Sequence, residues 1–392
     1  MRRQLIKLLR RVGESFRKGD LLLLLLCLVA TSFGCLIIAS ATNYTDSLGQ
    51  LFTQIAAATI GVVMYILVSS VDMEWMSEHR LALVIFNMFF LCLLIPFGTD
   101  NGTGNRSWLD LPLIPFYIQP AEICKIPFIV IMASVMAAHQ NKISSLPSVL
   151  RMALHVGLPV GLNMVLSKDA GVSLIFVFIF AGMAFAGGVS MFWFLLAGGL
   201  MVVAAPVLWN MMDGYQRNRI LVLFDEKIDP TGIGVRWHMK ESLRSLTGGG
   251  MLGQGLFNGH RTQNGDLNAQ HTDFIFSAIG EELGYLGCIF TLLLLVAIIA
   301  RCVWVGTRSQ DYMRRLICFG AASALSFQVI SNVGMCIGVT PVIGLTLPFI
   351  SYGGSSIVSL YAMLGLVSGV FARPNPTSHE RYIRPPMREI GE

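Results

Sequence analysis

Ten runs of mostly apolar residues, each close to the length a helix needs to cross a bilayer, leave this chain few choices of fold. They fall at about 20–42, 49–71, 81–98, 121–139, 153–167, 170–187, 190–211, 284–305, 314–338 and 352–373. About 20 apolar residues cover roughly 30 Å of hydrocarbon as a helix, and a lipid-facing segment must satisfy its own backbone polar groups. Composition agrees: 54% of the 392 residues are hydrophobic and only 13% charged, too few polar groups to solvate a soluble globule. The expected fold class is all-α, a polytopic membrane protein with about ten transmembrane helices and one large extracytoplasmic loop. The fifth and sixth runs are short and separated only by Ser167-Lys168-Asp169, which leaves open two tilted spans or one broken hairpin.

Basic residues orient the spans. Arg2, Arg3, Lys7, Arg10, Arg11, Arg17 and Lys18 precede the first run, so a basic segment, 1–19, is expected in the cytoplasm. Ten crossings return Arg80, Lys142, Arg151, Arg308, Arg314, Arg315, Arg373, Arg381, Arg384 and Arg388 to that side. The membrane domain is then 20–373, the tail 374–392 is cytoplasmic, and the 43–50, 99–119, 212–283 and 339–351 loops lie outside. Pro374, Pro376, Pro385 and Pro386 break any helix in the tail. The net charge of +5 is thus a topology signal. No basic patch with interleaved aromatics accompanies it, so nucleic acid is not expected as a partner and membrane lipids are. The first 42 residues resemble a signal peptide with a Gly34-Cys35 step, yet the apolar run continues through Ile37 and Ile38, which favours an uncleaved helix. All eight cysteines fall in or beside apolar runs and read as core residues.

The polar insertion, about 212–283, ends in His271-Thr272-Asp273-Phe274-Ile275-Phe276. Two readings of Asp273 stand: a carboxylate capping a helix that enters the bilayer, or a general base whose pKa is raised by partial desolvation. His271 is either solvated, a base itself or a group that orients a substrate. Glu281 and Glu282 follow eight and nine residues later, too far along a helix to act on the same atom as Asp273. Glu122 and Lys125 share a helical face within the fourth run, either as an ion pair that fixes packing or as the lining of a polar cavity, which Asp169 could join. The stretch from Thr247 to Gly259 is glycine-rich and, with Arg219, Arg244 and Arg261 nearby, offers an anion site or simply a flexible loop. Arg106 and Trp108 suit an interfacial anchor. Pro341 to Ser356 is an apolar stretch interrupted by proline and glycine, allowed at membrane depth only where it lines a cavity or is buried.

In order and spacing, five segments resemble the SEDS family, the FtsW, RodA and SpoVE group of bacterial cell-wall polymerases. They are Arg106-Ser107-Trp108-Leu109; Gln119-Pro120-Ala121-Glu122-Ile123-Cys124-Lys125; Asp229-Pro230 followed by Gly248-Gly249-Gly250 and Gly253-Gln254-Gly255; His271 to Phe276 with Glu281-Glu282-Leu283-Gly284; and Pro341 to Ser356. The resemblance covers about 20–373. It implies a peptidoglycan glycosyltransferase that polymerises lipid II at the outer leaflet with loss of polyprenyl diphosphate. Such an enzyme serves cell wall synthesis and cell shape or division, beside a class B penicillin-binding protein. It makes Asp273 the catalytic base and Arg106, Trp108, Glu122, Lys125, Arg219, His271, Thr272, Ser351, Gly353 and Gly354 substrate-binding. Arg106, Arg219, Lys125 or a divalent cation, Mg or Mn, would stabilise the departing diphosphate.

The chain departs from the family pattern at Ser167-Lys168-Asp169-Ala170-Gly171 and between Gly234 and Ser242, so detailed roles there are not carried over. Two other functions compete: a transporter that flips the lipid-linked precursor, and a non-enzymatic scaffold for the penicillin-binding protein. The large outer loop with its membrane-facing aspartate favours the enzyme over both.

Overall fold

The computed structural model describes residues 18–45, 47–99, 106–110, 117–212, 214–225, 228, 235–267 and 269–373. The basic segment before Lys18, Asp229-Pro230 and the tail from Pro374 lie outside them. Eight described helices are long and apolar enough to cross a membrane, and two shorter apolar helices accompany them. The protein is therefore a multi-pass, all-α membrane protein. In chain order the helices are α1 (Leu21–Ala41), α2 (Gly49–Ser70), α3 (Met73–Glu78), α4 (Arg80–Cys92), α5 (Pro120–Ala138), α6 (Leu146–Leu166) and α7 (Ala170–Ala186). There follow α8 (Met191–Met211), α9 (Gly214–Leu221), α10 (Val235–Gly248), α11 (His260–Asn264), α12 (Ile275–Arg308), α13 (Tyr312–Cys336) and α14 (Gly354–Ala372).

Aspartate opens several of these helices, because its carboxylate satisfies an amide that the first turn leaves free. Asp20 accepts from the Leu23 amide, Asp169 from Val172 and Asp311 from Arg314. Three helices form the centre: in their most apolar stretches α5, α13 and α14 are 78%, 72% and 83% buried. By contrast α2, α6 and the span that begins with α4 are 22%, 22% and 17% buried, so they turn apolar faces to lipid. Helix α8 is exposed along most of its length and is tied at its start, where the Trp193 indole donates to the Ser144 carbonyl at 2.8 Å.

One open alternative is settled, and one helix that the sequence reading did not assign is found. The fifth and sixth runs are separate helices, since α6 starts at Leu146 and is 21 residues long, with Arg151 in its early turns masking the apolar signal. Ahead of the eighth span lies a short helix, residues 275–283, buried along most of its length against the protein, so that α12 is two helices meeting at Gly284. At Gly284 the helix breaks, with φ 66° and ψ −164°, a conformation that needs glycine.

That break serves close packing. A Cβ on Gly253 (φ +80°) would lie 2.1 Å from the Glu282 carbonyl oxygen, and one on Gly249 would lie 1.9 Å from the Gly280 oxygen. The Gln254 and Gly255 amides donate to the Glu281 and Glu282 carbonyls, each at 2.9 Å, so they do not face a phosphate. Arg244 and Arg261 both pair with Glu241. The glycine-rich stretch is thus a docking seam, and the anion-site reading of it falls. Glu281 and Glu282 are anchors as well. Glu281 takes the Thr262 hydroxyl at 2.7 Å and amide at 3.0 Å, and Glu282 takes the Ser40 hydroxyl and the Gln263 amide. Gly253→Ala is expected to destabilise by about 1–3 kcal/mol through overpacking and left-handed strain, read as a lower melting temperature in detergent and faster proteolysis near residues 247–259.

Ion pairs close the end of the bundle that carries Gly19 and Arg373. Arg301 forks onto Asp20 at 2.8 and 3.0 Å, Arg314 grips Glu74 at 2.8 Å, and Arg373 reaches the Ser69 and Val71 carbonyls. At the opposite end the 43–45, 106–110, 167–169, 214–225, 235–267, 269–274 and 337–353 segments lie.

Candidate active site

Asp273 sits in a tight turn just before α12. The Thr272 and Phe274 amides both donate to the Ala269 carbonyl, at 3.0 and 3.2 Å, and the buried Phe274 ring pins the turn to the protein. Phe274, not Asp273, is the residue that precedes the helix, and no side chain caps it. The capping reading of Asp273 is therefore excluded. Among the described residues no hydrogen bond or ion pair reaches its carboxylate.

The wall facing that carboxylate is the broken stretch between α13 and α14. Gly344, at φ +69°, comes so near that a Cβ there would lie 3.6 Å from Oδ2 of Asp273. The stretch is sewn to the turn at three places. The Ser351 hydroxyl donates to the Thr272 carbonyl at 2.6 Å and accepts the Leu347 amide at 2.8 Å. The Tyr352 amide donates to the His271 carbonyl at 2.9 Å. Asn332 of α13 donates to the carbonyls of Asp273 and Leu345, at 2.8 and 2.7 Å. Behind it, Gln54 of α2 donates to the Ser351 carbonyl and accepts the Gly353 amide, both at 3.1 Å.

Burial raises the Asp273 carboxyl to about 6, Arg219 pulling against that rise and Asp169 adding to it. Arg219 on α9 donates to the Val342 carbonyl at 2.9 Å. Asp169 is itself raised by burial and takes the Ser107 hydroxyl at 3.2 Å. Two histidines flank the turn. His271 packs its ring on Tyr352, with centroids 5.6 Å apart, and burial lowers its pKa. The His238 ring lies nearly parallel to Phe274 at 5.9 Å, its pKa lowered by burial and by Arg219. Both are neutral near pH 7.

Asp273, Thr272, His271 and Ser351 lie together, and the Arg219 charge acts on Asp273. Glu122 and Lys125 form a 2.8 Å pair with side chains 4% and 1% exposed, joined to α14 through Ser356 and Ser359 at 3.2 and 3.1 Å, and the Glu122 charge adds to the rise that burial imposes on Asp169. Arg106 is exposed and held by the Gly98 and Ile95 carbonyls at 2.8 and 3.2 Å. Trp108 pairs with Thr99 in a two-stranded ribbon. Gly353 precedes α14, whose first residue is Gly354. Gln54 and Asn332, both fully buried, were missed. Their signal in the sequence is that an amide inside an apolar run is costly unless it has partners.

Comparison with known proteins decides the family. The model of the FtsW/RodA/SpoVE family, described as a cell cycle protein, matches residues 20–374. The chain belongs to this family. The FtsW/RodA/SpoVE relatives include the peptidoglycan glycosyltransferase MrdB of Escherichia coli K12, 31% identical over 356 residues, 90% of this chain and 93% of that protein. A probable peptidoglycan glycosyltransferase FtsW of Trichlorobacter lovleyi is 31% identical over 367 residues, 91% of this chain and 94% of that one. A chain from a peptidoglycan synthase complex that coordinates polymerization and crosslinking superposes with a TM-score of 0.75 at 28% identity, covering 90% of this chain and 97% of that one. The rod shape determining protein RodA of Thermus thermophilus gives 0.68 at 25% identity, covering 91% and 98%.

Proposed function

We propose that this protein is a peptidoglycan glycosyltransferase that polymerises lipid II at the outer leaflet, both termini lying in the cytoplasm. One observation carries the reading: a carboxylate with no hydrogen bond among the described residues, raised to about 6 by burial, faces Gly344 of the broken stretch between α13 and α14. A general base works best with a pKa near the ambient pH. Asp273 takes the proton from the acceptor sugar hydroxyl as that oxygen attacks the donor's anomeric carbon. The new glycosidic bond forms while the carbon–oxygen bond to the diphosphate breaks, and polyprenyl diphosphate leaves with the electron pair.

Arg219 is the cation whose field reaches Asp273, so it is the candidate to meet charge growing on the diphosphate. His271 and the Thr272 hydroxyl border the same opening and bind the sugars. Ser351, Gly353 and Gly354 shape its wall, while Arg106 and Trp108 hold the lipid-facing rim. Glu122 and Lys125 brace the wall from behind. Among the described residues no three His, Cys, Asp or Glu side chains converge as metal ligands. Mg or Mn held by the substrate's own diphosphate oxygens and a single carboxylate needs no such cluster, and it would neutralise charge on the leaving diphosphate; the step above is derived without it. The partner is a class B penicillin-binding protein, which crosslinks the strands made here.

The test is polymerisation of lipid II by the purified protein with that partner. Glycan strands are expected, and transport of lipid II across vesicles without any strand product would sink the assignment. The pH dependence adds a second check. With Asp273 as base, the rate falls about tenfold per pH unit below about 6 and levels off above it, measured as initial rate at saturating lipid II.

A further inference from the structure

We infer that Asn332 is a positioning residue that sets the distance between the Asp273 carboxylate and the wall facing it; this rests on Asp273 being the base. A primary amide carries two N–H donors on one nitrogen, diverging in a plane. Both donors of Asn332 are engaged, one on the Asp273 carbonyl at 2.8 Å and the other on the Leu345 carbonyl at 2.7 Å. These acceptors belong to different segments: the turn before α12 and the broken stretch after α13. Leu345 adjoins Gly344, the residue set against Oδ2 of Asp273. One flat, fully buried group therefore ties the base to the opposite lip of the opening.

The surroundings hold the amide still. Cys336, one turn further along α13, also directs its thiol to the Asp273 carbonyl at 3.7 Å, and its own carbonyl accepts the Ser242 hydroxyl at 2.8 Å. The Oδ1 atom of Asn332 is buried and, among the described residues, has no hydrogen-bond partner. An orphaned buried acceptor costs stability, and the position bears that cost beside the gain from two donated bonds; leucine branches at the same atom with neither group. What the amide supplies and leucine does not is the pair of donors.

Two variants test this, Asn332→Leu and Asn332→Asp, each assayed per folded molecule with its penicillin-binding protein partner. Asn332→Leu keeps the branch point but is bulkier and leaves the Asp273 and Leu345 carbonyls without these donors, so its melting temperature is expected to fall while the protein still folds. Its kcat is expected to fall by about 100-fold, the size of effect a 1 Å misplacement produces, with KM for lipid II little changed. Asn332→Asp keeps the shape, loses the donors and sets a second carboxyl beside Asp273. It should lower kcat similarly and move the acid limb of the pH profile upward.

Full kcat in folded Asn332→Leu overturns the inference. Should that variant not fold, Asn332→Asp decides: an unmoved acid limb with unchanged kcat overturns it equally. Asp273→Asn runs alongside. An inactive Asp273→Asn beside a fully active Asn332→Leu removes only the positioning role, whereas an active Asp273→Asn removes the base assignment itself.

Discussion

Asn in place of Asp273 lowers lipid II polymerisation by about 10²- to 10⁴-fold, the contribution of a positioned general base, and leaves a folded protein. The folded state follows from how the residue is held. Its structural bonds run through the main chain, where the carbonyl accepts from Asn332 and Cys336, and an asparagine keeps every one of them. Stability is expected to rise slightly at neutral pH. Burial raises the Asp273 carboxyl to about 6, so ionisation is less favourable in the folded protein than in the unfolded chain. That handicap is absent below the ordinary carboxylate range, grows up to about pH 6 and is fully present above it. A neutral amide removes it. Melting temperatures of the two proteins at pH 5 and pH 8 check the direction: the gap in favour of Asn is expected to widen at pH 8. Polymerisation within tenfold of the parent by a folded Asp273→Asn protein would mean that another group takes the proton.

The spans could be read from sequence because lipid imposes one rule on every backbone group within it, and α1, α2, α13 and α14 needed little else. Boundaries failed where polar residues lie inside a helix for local reasons. Arg151 hid the start of α6, and Glu281 and Glu282 hid the short helix ahead of Gly284, although both glutamates serve to hold the 257–263 segment. Asp273 was legible as a carboxylate at the edge of an apolar run. What sequence does not carry is which atoms of such a residue are used, and the structure separates its engaged carbonyl from its open carboxylate. The glycine-rich stretch misled because glycine permits two opposite things, close approach of a ligand or close approach of another backbone. Here the carbonyls of Gly280 and Glu282 fill that space. Gln54 and Asn332 were invisible to a search for charge, yet each joins segments far apart in the chain, and nothing local marks such a joint.

Breaking the Glu122–Lys125 pair is expected to have the largest effect on the fold. The two side chains are 4% and 1% exposed, with 2.8 Å between them. One Glu122 oxygen, Oε2, receives Lys125, Ser356 and Ser359 together. The pair thereby fastens α5 to α14, two of the three most buried helices. Glu122→Gln leaves the ammonium of Lys125 without its counterion, and Lys125→Met leaves the carboxylate without its own. Losing one partner of a buried pair costs about 3–5 kcal/mol, enough to unfold much of a marginally stable protein. The double variant Glu122→Gln with Lys125→Met buries no charge at all. Its melting temperature is expected to return most of the way to that of the parent, because a buried pair exchanged for neutral groups of similar volume is often neutral or better. Thermal unfolding of the three variants in detergent gives the coupling directly. Polymerisation should recover with stability in the double variant, since the pair lies behind the wall formed by Ser356 and its neighbours. A double variant that is stable yet inactive would place these charges on the substrate instead.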